Sequence, residues 1–103
     1  MATTPEGRVK SAIKKYLKTV PDCWFFMPMG GPYTTHGIPD IVGMVRGRFF
    51  AIECKAPGKE KNTTENQDRV ISEMRECGGV AFVASDVATV KLVFSMWNFD
   101  SNA

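Results

Sequence analysis

The sequence has one histidine and only three cysteines, Cys23, Cys54 and Cys77, none of them at a zinc-ligand spacing. A Cys/His zinc centre is excluded on that count. An odd number of thiols also pairs poorly into disulfides, so reduced cysteines in a cytoplasmic setting are expected. No apolar run reaches the ~18 residues needed to cross a bilayer, and the N-terminus lacks the apolar core of a secretory signal. The reading is a soluble protein with no membrane partner. Internal repeats, low-complexity tracts and linker-like stretches are also missing, so residues 1–103 read as one small domain with a modest core. Neither sign of charge dominates. A formal net charge of +2 permits nucleic-acid binding without arguing for it. With 44% hydrophobic and 23% charged residues, disorder is not expected.

What is present alternates between helical and strand patterns. A helix is expected from Thr3-Thr4-Pro5-Glu6 to about Thr19, its apolar stripe formed by Val9, Ile13, Tyr16 and Leu17 and extended by Val20. Cys23 to Met27 reads as a strand ended by Pro28, and a loop through Tyr33 and His36 follows. Either side chain could touch a nucleotide or simply be incidental. Two strands, Asp40 to Val45 and Arg48 to Lys55, are joined by Arg46-Gly47. A polar loop then leads to a helix capped by Thr63 or Thr64 and ended by Gly78-Gly79. The strand Val80 to Ala84 and a helix from Ser85 or Asp86 to about Trp97 complete the chain. The class is α/β, a central mixed sheet flanked by helices in the order αβββαβα.

The stretch that organises the rest is the hairpin. If Arg46-Gly47 sets the register, Val45 faces Arg48, and counting outward places Asp40 opposite Glu53. Opposed residues in an antiparallel pair have Cβ atoms about 4.5–5.5 Å apart, so two carboxylates there repel unless a cation lies between them. Lys55 shares a strand face with Glu53, whereas Cys54 points away. Two acids and an ammonium converge, and oxygen ligands of this kind suit Mg²⁺ or Mn²⁺. The bland alternative is a salt-bridged surface hairpin.

Pro39-Asp40 and Glu53-Cys54-Lys55, in that order and on strands, resemble the two halves of the PD-(D/E)xK nuclease signature. With Gly37 shortly before Pro39 and Gln67 at the start of a helix, the chain most resembles the virus-type replication-repair nuclease (VRR-NUC) branch. The resemblance implies a restriction-endonuclease-like fold and a Mg²⁺- or Mn²⁺-dependent deoxyribonuclease. Asp40, Glu53, the Cys54 backbone carbonyl and, through water, Glu6 would hold the metal. Lys55 would act on the attacking water or the pentavalent state, and Gln67 would position water or substrate. Small free-standing members are phage-like, which implies the cytoplasm of a bacterial host. Holliday-junction resolvases supply the analogy for a homodimer acting on branched DNA in replication or repair, with a partner protein of that machinery a further expectation. The alternatives are a nuclease nicking or trimming flap, duplex or single-stranded DNA, and a DNA-binding module without turnover.

Two site residues carry a second reading. Glu6 lies on the buried stripe of the first helix, yet Thr3-x-x-Glu6 could equally be a capping box; Thr64-x-x-Gln67 poses the same choice on the second helix. The far face of the first helix carries Arg8, Lys14, Lys15 and Lys18, either solvated or in contact with phosphate. In the last helix Leu92, Val93 and Met96 spread apolar surface beyond the Val87, Val90, Phe94 and Trp97 stripe. That surplus fits either a homo-oligomer or a deeply packed terminal helix.

Overall fold

The computed structural model describes residues 3–30 and 35–96. Tyr33 and Trp97 lie outside them. The elements follow in the order α1 (Pro5–Leu17), β1 (Cys23–Phe26), β2 (Ile41–Val45), β3 (Arg48–Cys54), α2 (Glu65–Glu76), β4 (Val80–Ala84) and α3 (Val87–Met96). The four strands form one sheet in the order β1-β2-β3-β4, antiparallel except for the parallel β3–β4 pair. That one parallel pair needs a crossover, and α2 supplies it.

Helices cover both faces. Val9, Ile13 and Leu17 of α1 and Val90 and Phe94 of α3 pack against Phe50, Ile52 and Cys54. On the other face Ile71 of α2 packs on Ala51 and Ala81. Buried on both sides, β3 reads as a continuous apolar run from Phe50 to Ile52 into which Glu53 is set. Because α2 lies over the β3–β4 half of the sheet, Trp24, Phe26 and Met44 on β1 and β2 remain exposed.

Three local features bear on the site. Arg46 and Gly47 both have positive φ, 51° and 82°, the signature of a type I′ turn matched to strand twist. Gly43 sits where β1 crosses so closely that a side chain would strike the Trp24 carbonyl. Helix α1 ends at Leu17 rather than Thr19, since the amides of Thr19 and Val20 bond three residues back and tighten the last turn.

Candidate active site

The expected register is the one the chain adopts. Val45 pairs with Arg48 and Ile41 with Ile52, so the next position outward sets Asp40 against Glu53. A two-residue turn makes Val45–Arg48 a hydrogen-bonded pair, and alternation makes residues 40 and 53 a non-hydrogen-bonded one. In such pairs the Cα atoms approach to about 4.5 Å and the side chains lie closest. The following hydrogen-bonded position would join residue 39 to Cys54, but Pro39 has no N–H to give. The ladder stops there. Instead the Cys54 amide donates to Asp40 Oδ2 at 2.9 Å, fixing that carboxylate across the strand end. The Cys54 carbonyl receives nothing from Pro39 and lies on the same edge of β3, which makes it a usable oxygen ligand.

Two donors converge on Oε2 of Glu53, Gln67 Nε2 at 3.0 Å and Lys55 Nζ at 3.7 Å. Gln67 forms the cap and reaches Glu53 with the same side chain. Its Oε1 accepts from the Thr64 amide at 3.0 Å while its own amide donates to Thr64 Oγ1 at 3.1 Å, a complete capping box. The cap therefore orients the amide so that Nε2 faces Glu53. Gly37 holds this turn of α2 from the other side. Its φ is +91°, and a Cβ there would run into the carbonyl of Asn66 and come within 2.9 Å of the Gln67 nitrogen. Only glycine fits, both in backbone angle and in space. The glycine before Pro39-Asp40 thus serves the position of Gln67.

For Glu6 the capping alternative is not realised. The cap of α1 is Thr4, whose hydroxyl accepts from Gly7 at 2.9 Å, so Thr3 and Glu6 form no box. Pro5 decides this, because proline at the first helical position leaves the residue before it as cap. Half-buried Glu6 is near enough for its charge to raise the pKa values of Glu53 and Cys54. It does not join Asp40 and Glu53 as a third member of a compact metal-holding group among the described residues.

Lys10, one turn after Glu6, is the site residue that sequence reasoning missed. Its ammonium lies 3.4 Å from Asp40 Oδ1, so it reaches round the end of β2. The signal was its i, i+4 spacing from an inward-facing acid.

Glu53 is only 3% exposed, and its pKa is pushed up to about 7. Burial is the largest cause, followed by the Asp40 charge; Lys55 pulls the other way. The close approach of the Asp40 carboxyl further favours the protonated form of Glu53. The site is thus short of positive charge even with Lys10 and Lys55 beside it. The donor set is two carboxylates and one carbonyl, and among the described residues no group of three His, Cys, Asp or Glu side chains encloses an ion. This fits Mg²⁺, which keeps several waters and takes one or two carboxylates together with substrate phosphates. It does not fit zinc. The Cys54 thiol is buried against the core and its pKa is raised to about 12, so it is inert; it serves packing.

Asp40 also lines the floor of a groove of about 470 Å³ between Pro28–Gly30 and Thr35–Pro39. Exposed His36 is on its wall. A phosphodiester strand can therefore approach the carboxylates from one side.

Two paired acids, an adjoining ammonium, a pre-oriented amide and an open approach are what the described residues bring together. Comparison with models of known protein families and with curated protein sequences finds no match.

Proposed function

We propose that the chain is a divalent-metal-dependent deoxyribonuclease of the PD-(D/E)xK type, with a VRR-NUC-like site, hydrolysing phosphodiester bonds in branched DNA. The observation that carries this reading is the facing pair Asp40 and Glu53, with Lys55 and Gln67 on the same carboxylate. A salt-bridged surface hairpin has no reason to bury its glutamate to 3% exposure beside a second acid, where charge is costly.

Asp40, Glu53 and the Cys54 carbonyl would hold Mg²⁺ or Mn²⁺. When bound, the cation supplies Lewis-acid charge, making a water nucleophilic near neutral pH and offsetting charge on the phosphoryl oxygens. The protein's own residues do the rest. Glu53 would hold the ion as a carboxylate, with Gln67 and Lys55 keeping their places at its Oε2. Lys55, 12% exposed at its side chain, is a mobile point charge able to turn from Glu53 to the developing pentavalent phosphorus. Gln67 is pinned by Thr64 and keeps Glu53 from rotating away. Lys10, paired with Asp40 at 3.4 Å, is a second ammonium at the site that would be available to a substrate phosphate. Glu6 orders water at the outer edge of the site.

The proposed cellular form is a homodimer on branched DNA, working with replication or repair proteins, its second copy covering the exposed Leu92 and Met96 of α3. Cleavage rates on four-way, flapped and linear DNA of matched sequence test the substrate. Preference for the four-way form supports the proposal, and equal rates on all three reduce it to a general nuclease.

A further inference from the structure

The edge strand β1 presents an unusual outer face. Its alternation sends Cys23 and Phe25 toward the core and leaves Trp24 68% and Phe26 49% exposed. The two rings neighbour each other, with centroids 5.8 Å apart, and Met44, paired with Trp24 on β2, extends the patch. Aromatics are costly to leave in water, and these are not covered by α2. Along the edge of β1 a groove of about 510 Å³ is lined by Lys14 and Lys18 of α1 together with residues 23–27. Both lysines are exposed. The ammonium groups thus lie along the edge of the strand whose outer face carries the two rings.

The direction of the strand matters as well. Following β1 past Phe26, the chain reaches Pro28 and Met29, which wall the groove that ends on Asp40. From Trp24 to Pro28 the extended backbone covers roughly 13 Å, at ~3.3 Å per residue. A strand seated on β1 would run into the carboxylates.

We propose that this face binds a single-stranded DNA segment, its bases stacked on Trp24 and Phe26 and its phosphates met by Lys14 and Lys18. The occupant follows from the chemistry. Base stacking on an exposed ring needs an unpaired base, because in a duplex both faces are already stacked. A polyanion explains the lysines, which a purely apolar partner would not. The inference rests on the nuclease reading and sharpens it: the preferred branched substrate carries an unpaired arm, which β1 leads to the cleavage site.

The test is binding of a fluorescent oligothymidylate and of a matched duplex, both in EDTA, by wild type, Trp24→Ala, Trp24→Phe and a Lys14→Gln/Lys18→Gln double variant. Manganese-dependent hydrolysis of a small phosphodiester, bis(4-nitrophenyl) phosphate, is followed in parallel. Trp24→Ala should weaken oligothymidylate binding about 10-fold, within the range of one lost stacking contact, and leave the duplex unaffected. Trp24→Phe should restore most of it. The lysine variant should lower the salt slope by about one to two. Trp24 is far from the acids in sequence and exposed, so small-diester hydrolysis should not change. Equal oligothymidylate affinities for wild type and Trp24→Ala overturn the proposal. So does a lower elution mass for Trp24→Ala without DNA, which would make β1 the seat of a second copy. Failure of the small-diester reaction alone, with Trp24-dependent binding intact, overturns the nuclease reading and leaves this binding face standing.

Discussion

Gln67 donates to Glu53 across 3.0 Å while closing the N-terminal cap of its own helix. One side chain thus couples the stability of α2 to the geometry of the acid pair. Thr64→Ala should lower unfolding free energy by about 1 kcal/mol, the usual worth of such a cap. Cleavage should change little, because the bond that aims the Gln67 side chain comes from the backbone N–H of residue 64, which alanine keeps. Denaturant melts and single-turnover rates on the same variant check both effects. A rate that falls with the stability would show that the hydroxyl bond to the Gln67 backbone, and not the residue 64 amide, sets the side chain.

Glycine at position 37 makes a contrasting pair with glycine at position 47. Both have positive φ, but a Cβ at Gly37 collides with the Asn66–Gln67 backbone, whereas at Gly47 it meets nothing within 4 Å. Gly47→Ala should cost about 1 kcal/mol, the conformational term alone. Gly37→Ala should cost more, and should reduce cleavage by displacing Gln67. Comparing the two by thermal melts and rates separates backbone angle from crowding.

The pH dependence of the metal-free protein has a definite sign. Glu53 holds its proton up to about 7 in the folded chain, against an ordinary 4.5. Between those values the folded state binds more protons than the unfolded one, so unfolding free energy falls as pH rises through that window. Glu53→Gln should remove this slope and raise the melting temperature at pH 7.5, while abolishing cleavage. A wild-type curve that matches Glu53→Gln from pH 4.5 to 7.5 would contradict a buried, proton-holding Glu53.

Lys10 competes with any cation for Asp40. Lys10→Met should therefore tighten Mg²⁺ or Mn²⁺ binding about 2- to 5-fold, the equivalent of a half-exposed ion pair. Calorimetric titration checks this. Unchanged affinity would place Lys10 outside the metal's field.

The legible parts of the sequence were those with a rigid local rule. Arg46-Gly47 between two strand patterns admitted one register, and that register placed Asp40 opposite Glu53. Gln67 is legible as a polar residue at the N-terminal end of an apolar stripe, where Thr64-x-x-Gln67 also spells a capping box. Lys10 is not legible because it lies on the flank between the apolar stripe and the Arg8, Lys14, Lys15 and Lys18 face, and only the fold brings its long side chain to Asp40. Two adjacent threonines offered two caps for α1, and Pro5 selects the second. The exposed face of β1 was hidden for a different reason. Cys23-Trp24-Phe25-Phe26-Met27 is apolar throughout, so its alternation exists only once α2 is seen to cover the other half of the sheet.

Lys55 carries the largest expected effect outside the acids. Lys55→Ala should fold and bind metal, yet cleave about 10²-fold more slowly, as loss of a transition-state donor does. An unchanged rate would remove it from the chemistry.

The central claim is tested most directly by single-turnover cleavage of a labelled four-way junction, by wild type and Asp40→Asn, in Mg²⁺, Mn²⁺ or EDTA. The account predicts cutting by wild type in either metal, none in EDTA, and none by Asp40→Asn in Mg²⁺. Cutting that persists in EDTA or in Asp40→Asn, or no cutting by wild type in either metal, would contradict it.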